Sequence, residues 1–404
     1  MRIAFITPEF VTEPSYSGGL ANYLGRVTVA LVGQGHEVHV FTRSLENEQI
    51  EFQGVTVHRV VPLWDRRMIL DHIDPLIPKT FYNPYQDFKA AWCLWRRWQR
   101  IQQTVQFDIV QVANVMAVGL FFRWERKTPI VTRMSSYRPF WDTAAGIRQT
   151  AGVKLRWFME RLAVTGTRYL YAPTYFVAGQ VQKGYGIPHV EVMETPFFLE
   201  EPTADTSIFE QYEGKPYLLF FGRMTQMKGV HVLVEALPEV LKQFEEMQVF
   251  FVGGNGPAPD GKPMADYIRD RLQEFGDRIT ILSSMRHDKL YPFIKNAKVV
   301  ALPSLIDNLP NTCLEAMGIG KIVVATTGSC FEQVIENGVS GILVRPGDAA
   351  ALAEGIRRAW QLEEPIYIEM QNQAQKSIGK LHPSQSIPRL IEYYQSIVAS
   401  VGEK

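Results

Sequence analysis

Residues 215–229 read Lys-Pro-Tyr-Leu-Leu-Phe-Phe-Gly-Arg-Met-Thr-Gln-Met-Lys-Gly. The apolar run Tyr217–Phe221 ends in Gly222-Arg223, and a helical period follows over about 229–244. A short continuous apolar run closed by glycine and followed by a helix reads as a strand buried on both faces and its crossover. The same unit recurs downstream, with strands expected at 248–253, 278–282, 297–302, 321–326 and 341–344 and helices between them. It also occurs upstream. Residues 2–7 form a strand, a helix runs from Leu20 to Val32, and strands follow near 37–42, 55–60, 108–112, 129–133 and 168–172. Helices near 86–105, 154–164 and 175–184 fall between some of these. Alternating strands and helices imply right-handed crossovers and mostly parallel sheets.

At roughly 100–200 residues per domain, 404 residues suit two such units. The expected fold class is α/β, with two tandem doubly wound domains facing a cleft. The junction is expected within 194–214, which holds Pro196 and Pro202 and shows no clear period. A last helix, about 386–401, is free to pack on either domain.

Hydrophobic residues make up 46% of the chain and charged residues 21%. These values exclude a disordered, collagenous or coiled-coil chain. No apolar run approaches the ~18 residues of a spanning helix, and the N-terminal Met-Arg-Ile-Ala-Phe-Ile reads as a first strand rather than a signal peptide. Cys93, Cys313 and Cys330 lie far apart without metal or redox spacing. A reducing, cytoplasmic setting is expected, with no zinc site and no disulfide. The 42 basic and 42 acidic residues cancel, but residues 1–200 carry 22 Lys/Arg against 17 Asp/Glu. That asymmetry would steer the two halves together or bring the first half to an anionic surface. It is too mild for a nucleic-acid binder.

In open α/β sheets, ligands meet the loops beyond the strands' carboxyl ends. The first such loop, 8–19, ends in Gly18-Gly19 before a helix, where free amides suit a phosphate. The three-glycine turn of nicotinamide-cofactor sites is missing, which argues against a dehydrogenase. In the 221–229 loop, Arg223 and Lys228 are either a diphosphate clamp or two solvated cations. Gly253, Gly254 and Gly256 follow another strand and either approach a base or simply make a turn. In 303–321, Asp307 and Glu315 stand eight apart, and Pro310-Asn311 lead into a helix expected to begin near Thr312. Glu315, expected in the first turn, either accepts bonds from sugar hydroxyls or complements the helix dipole.

Taken in order, these motifs, together with Gly-Val-Ser-Gly-Ile-Leu-Val-Arg-Pro-Gly-Asp at 338–348, resemble glycosyltransferase family 4. These are retaining enzymes with two Rossmann-like domains (GT-B). The resemblance is strongest over about 215–350, good over 1–45, and weak between about 60 and 165. It implies an acceptor-binding domain at 1–195, a linker at 196–214, a nucleotide-sugar domain at 215–380, and a C-terminal crossover helix at 381–404 packing back toward the N-terminal domain. Gly18 and Gly19 would offer amides to the donor diphosphate, and Arg223 and Lys228 would hold it and stabilise its charge as it leaves. Glu315 would bind ribose, and Met285 would lie near the base. Asp307 would contact the donor sugar, with Gly254, Asn308, Leu309, Pro310, Asn311 and Thr312 around the donor. The donor is a substrate, and neither metal nor cofactor is implied.

Two positions depart from the family pattern. Asp307 replaces the usual Glu, one methylene longer. Ser135 and Ser136 stand where many members carry His, in Val-Thr-Arg-Met-Ser-Ser-Tyr-Arg-Pro. With Tyr137 they are the candidate acceptor residues, for a sugar, lipid-linked or small-molecule acceptor. The alternative is a sugar-nucleotide-binding protein with impaired catalysis.

Trp92, Trp95, Arg96, Arg97, Trp98 and Arg100 share a helix. They are either a peripheral contact with the inner membrane face or a core stripe with snorkelling arginines. Trp64, Phe81, Tyr82 and Tyr85 form either an acceptor wall or a packed loop, and His36 and His58 read as structural strand residues.

Overall fold

A computed structural model describes residues 1–14, 19–63, 76–199, 203–212 and 214–402. The chain divides into two compact units, Met1–Pro196 with Pro383–Lys404, and Phe197–His382.

The first unit is built on strands β1 (Arg2–Thr7), β2 (Glu37–Arg43), β3 (Gln49–Phe52), β4 (Val55–Val60), β5 (Ile109–Ala113), β6 (Ile130–Arg133), β7 (Tyr169–Ala172) and β8 (Glu191–Val192). They lie in the order β3-β4-β2-β1-β5-β6-β7-β8. Helices α1 (Gly19–Gly33), α2 (Lys79–Ile101), α3 (Arg138–Ala144), α4 (Ala151–Thr165) and α5 (Tyr175–Tyr185) connect them. The pairing is parallel except where β3 runs antiparallel to β4. That hairpin turns on Gln53-Gly54, both at positive φ (50° and 81°). Two such residues make the tight turn whose twist matches a hairpin, so an edge strand absent from the sequence reading joins the sheet.

Helix α2 begins at Lys79, so Phe81, Tyr82 and Tyr85 lie on a helix and not in a loop; Trp64 lies outside the described residues. Trp98 is fully buried, and Trp92 and Trp95 pack on Phe121 with ring centroids 5.1 and 5.8 Å apart. Arg96 lies over the Trp92 indole. The stripe is therefore core, with an arginine snorkelling across it. His58 is buried in β4 and bonded to His39 at 3.0 Å. Burial, then His39, depresses its pKa to about 3. His36 sits in the turn before β2 rather than in a strand, 3.1 Å from the N-terminal amine.

The last helix, α12 (Pro383–Gly402), buries Ile387, Leu390, Tyr394 and Ile397 in the first unit's core. The Tyr394 hydroxyl donates to Gln111 Oε1 at 2.5 Å.

The second unit is an all-parallel sheet of β9 (Tyr217–Phe221), β10 (Gln248–Val252), β11 (Ile279–Leu282), β12 (Val299–Leu302), β13 (Ile322–Thr326) and β14 (Ile342–Val344). Its order is β11-β10-β9-β12-β13-β14. Its helices are α6 (Val230–Gln243), α7 (Met264–Arg271), α8 (His287–Asn296), α9 (Asn311–Gly318), α10 (Ala349–Trp360) and α11 (Glu364–Gly379). The stretch expected as a linker corrects the sequence reading. Phe197 and Phe209 are buried in this unit's core and Tyr212 packs against it, so aromatic anchors without any period dock its described parts. Phe197 N donates to Leu381 O at 2.9 Å, so the chain enters and leaves the unit side by side.

Candidate active site

The chain winds outward from β9 through β10 to β11, then crosses back to place β12 on the other side of β9. The switch point of this sheet therefore lies between β9 and β12, where open α/β sheets take their ligands. The loops leaving those two strands carry Arg223, Lys228 and Asp307.

Backbone contacts knit these loops together. Gly222 N donates to Val252 O at 2.9 Å, Met224 N to Gly254 O at 2.8 Å, Gly256 N to Met224 O at 3.0 Å, and Leu305 N to Met227 O at 2.8 Å. A Cβ on Gly253 would lie 1.8 Å from Gly222 O, and one on Gly229 would lie 1.8 Å from Pro303 O. Both glycines also have positive φ, 153° and 68°. Only glycine permits such an approach. A Cβ on Gly254 would meet nothing within 4 Å.

Lys228 Nζ donates to Asp307 Oδ2 at 2.5 Å. Ser304 Oγ donates to the same oxygen at 3.0 Å, and Asn308 N donates to Asp307 Oδ1 at 3.0 Å. The Asp307 side chain is 8% exposed and that of Lys228 30%. Both carboxylate oxygens are thus engaged within the protein, one of them by the cation expected to clamp a diphosphate. Leu309 follows at φ 59°, a left-handed conformation rare for a bulky residue. Its N–H donates to Cys330 Sγ, 2.6 Å away.

Helix α9 begins at Asn311, one residue earlier than Thr312, with Pro310 as its N-cap. This corrects the placement of Glu315, because no acidic residue lies in the first turn. Glu315 is buried one turn further in, and its Oε1 lies 3.5 Å from His287 Nε2. The Thr312 methyl is 3.4 Å from where a Gly222 Cβ would be. Arg223 is exposed directly after β9, and no ion pair engages it among the described residues. Met285, between β11 and α8, is half-buried against the unit's core.

In the first unit, Gly19 opens α1, and Gly18 lies outside the described residues. The loop after β6 holds Ser135, Ser136 and Tyr137, all half-buried. Arg133 Nη1 donates to Ser135 Oγ at 2.8 Å, and its guanidinium lies 3.6 Å from the Tyr23 ring centroid. Asn114 Oδ1 accepts from Ser135 N at 2.7 Å. Asn114 Nδ2 donates to Ser136 O at 2.9 Å and to Glu160 Oε1 at 2.6 Å. Tyr137 packs edge-on against Tyr185 at 5.0 Å, over Gly184.

Sequence reasoning passed over Ser304, Asn114, Arg133 and Glu160. Ser304 stood inside the Pro-Ser motif and was legible there. Asn114 and Glu160 meet across 46 residues, and no local pattern announces such a pair. Among the described residues, no three or more His, Cys, Asp or Glu cluster as metal ligands, and no helix is long and apolar enough to cross a membrane.

Two family profiles match the chain, Glycosyltransferase Family 4 over 17–199 and Glycosyl transferases group 1 over 215–361. An uncharacterised glycosyltransferase of Methanocaldococcus jannaschii is 25% identical across 100% of both chains. A D-inositol 3-phosphate glycosyltransferase of Arthrobacter is 25% identical over 87% of this chain and 85% of its own. Among solved structures, sucrose-phosphate synthase from Thermosynechococcus elongatus superposes with TM-score 0.73 at 18% identity, covering 99% of each chain. Anabaena HepE in complex with UDP-glucose gives 0.69 at 16%, covering 98% of this chain and all of its own. With both halves matched by their profiles and the two parallel-sheet units in the GT-B arrangement of strands, the chain belongs to the family 4 glycosyltransferases.

Proposed function

We propose that this enzyme moves a sugar from a nucleoside-diphosphate sugar to an acceptor hydroxyl, with retention at the anomeric carbon and without a metal ion. The observation that carries the reading is the pair of cations, Arg223 and Lys228, in the loop at the switch point between β9 and β12. The bond between the sugar's C1 and the diphosphate oxygen breaks, and the acceptor oxygen bonds C1 from the same face. The acceptor proton passes to the departing diphosphate, so no protein nucleophile is needed. Arg223 and Lys228 offset the charge that builds on that diphosphate. Gly18 and Gly19 add amides, Met285 and Gly254 lie toward the base, and Glu315 accepts from the ribose. Asp307 anchors Lys228 and offers its remaining lone pairs to the donor sugar, beside Asn308, Leu309, Pro310, Asn311 and Thr312. Ser135, Ser136 and Tyr137 meet the acceptor.

HepE holds UDP-glucose and several relatives are named for D-inositol 3-phosphate, which makes these the first donor and acceptor to assay. Turnover should persist in EDTA. A charge-assisted contact is worth roughly 1.5–3 kcal/mol, so Lys228→Ala should cut turnover and UDP affinity about ten- to a hundredfold. Unchanged rates at low and saturating donor would remove the diphosphate assignment. A second reading, sugar-nucleotide binding without transfer, is favoured by the engagement of both Asp307 oxygens. It predicts UDP-glucose binding with neither hydrolysis nor transfer.

Cys93, Cys313 and Cys330 as thiols suit a reducing cytoplasm. Peripheral membrane contact is supported by Phe81, Tyr82 and Phe88 of α2 and by Leu155 and Phe158 of α4, all exposed. Flotation with anionic vesicles, lost in Phe158→Ser, tests it.

A further inference from the structure

Glu160 is a charged group that the proposed reaction does not use, yet it lies inside the first unit at 1% exposure. Its partner is the Asn114 amide. An amide carries two N–H donors on one end and an acceptor on the other. Here the Nδ2 end serves two oxygens, Glu160 Oε1 at 2.6 Å and Ser136 O at 2.9 Å. The Oδ1 end receives Ser135 N at 2.7 Å. Rotating the amide by half a turn would set Oδ1 against two acceptors and Nδ2 against a donor. Glu160 therefore reinforces the orientation that Ser135 N and Ser136 O also favour for Asn114, and Asn114 holds the backbone on both sides of the Ser135–Ser136 peptide.

We propose that Glu160 is a positioning residue of this enzyme: acting through Asn114, it fixes the Ser135–Ser136 backbone in the geometry presented to the acceptor. The role in acceptor binding rests on the assignment of residues 135–137 in the proposed function; the role in fixing the loop does not. Titratable and charged groups of both signs surround the site without bonding Glu160. Arg138 and Asp142 face it from α3, Arg156 from its own helix, Tyr185 from α5, and Tyr137 from the loop itself. Arg138 and Asp142 pair with each other, and Arg156 pairs with Asp87. Burial, opposed by Arg138 and the Asn114 bond, raises the Glu160 carboxyl to about 7. The ionised carboxylate makes the stronger bond to Asn114, while burial favours the protonated form, so the two effects oppose each other and the test holds pH constant.

Amide hydrogen exchange on the full chain at a single pH, corrected for intrinsic rates, reads the loop directly. Glu160→Ala should speed Ser135 N–H exchange about tenfold or more, and Glu160→Gln should restore protection. In an Asn114→Ala background, Glu160→Ala should add nothing. Unchanged Ser135 exchange in Glu160→Ala, or an undiminished effect without Asn114, overturns the proposal. If Glu160→Ala does not fold, Asn114→Ala and Glu160→Gln decide it: equal Ser135 protection in Asn114→Ala and wild type overturns it. With D-inositol 3-phosphate and UDP-glucose, a raised acceptor KM at constant donor KM supports the role at the acceptor. A loosened loop with unchanged transfer removes the acceptor assignment and leaves the positioning of the loop standing.

Discussion

The switch-point loops of the second unit and the serine loop of the first are built from different materials. In the second unit the backbone does the holding. Gly222, Gly253, Gly254 and Gly256 exchange main-chain hydrogen bonds and contacts across β9 and β10, and Gly229 sits against the Pro303 carbonyl. In the first unit side chains do it, through Asn114, Glu160 and Arg133. A loop held by backbone needs particular residue types at fixed spacing, above all glycine. A loop held by side chains needs only that two distant residues meet. The first kind announces itself in a sequence and tolerates little change. The second is silent in the sequence and adjustable, which suits the half of the enzyme expected to meet its acceptor.

The hardest way to break the contrast is to add one methyl group to the backbone-built loops. Gly253→Ala puts a Cβ into the Gly222 carbonyl at a φ that disfavours side chains. Strain and overpacking of about 1–3 kcal/mol each should lower the melting temperature of the second unit by about 5–20 °C and abolish UDP binding. Gly254→Ala, one residue on, meets open space and serves as the control, with an effect within about 0.5 kcal/mol. Equal melting of the two variants would show that backbone packing does not hold these loops.

The side-chain-built loop should respond in the opposite direction. Glu160 is fully buried, and its carboxyl is raised from 4.5 to about 7. Between those values the folded state holds a proton that the unfolded state has released, so stability falls as pH rises through the window. At about 1.36 kcal/mol per unit, that cost reaches roughly 3 kcal/mol by pH 8. Glu160→Gln never ionises and keeps an acceptor for Asn114. It should therefore stabilise the first unit by up to about 3 kcal/mol at pH 8 and change little below pH 5. Chemical denaturation at the two pH values checks this, and equal gains at both would contradict it.

Asp307 sharpens the comparison, since there the backbone-built loops also rely on a long-range side-chain pair. Asp307→Asn releases Lys228 from its carboxylate. Transfer should fall about ten- to a hundredfold, a loss of roughly 1.5–3 kcal/mol. UDP affinity should rise, up to about tenfold, because an unneutralised Lys228 attracts the diphosphate more strongly. Calorimetric titration with UDP reads the split. Affinity unchanged to within error would show that Asp307 serves the sugar alone and does not restrain Lys228.

Some of this was legible from the residues and some was not. The parallel strands were, because Tyr217–Phe221 and Val299–Leu302 are continuous apolar runs bounded by loops, as strands buried on both faces must be. The switch-point loops were, because glycines that let two backbones touch cannot be replaced by other residue types. The edge strand β3 was not, since a four-residue strand with half-exposed faces carries little hydrophobic period. Nor was the docking of Phe197 and Phe209, which act as isolated anchors without a repeat.

The sequence by itself determined the two α/β units, the order of the motifs along them, and which loops carry cations and carboxylates. It did so because strand burial, helical period and glycine geometry are local properties. The tertiary structure alone decided that Lys228 is bound to Asp307, that Glu315 lies beyond the first turn of α9, and that Asn114 meets Glu160. It also decided that α12 closes on the first unit through Tyr394 and Gln111. These are meetings of groups tens to hundreds of residues apart, except for Glu315, whose placement turns on a one-residue shift in where a helix begins. Their energies depend on distances of a few ångströms that only the packed sheet and helices set.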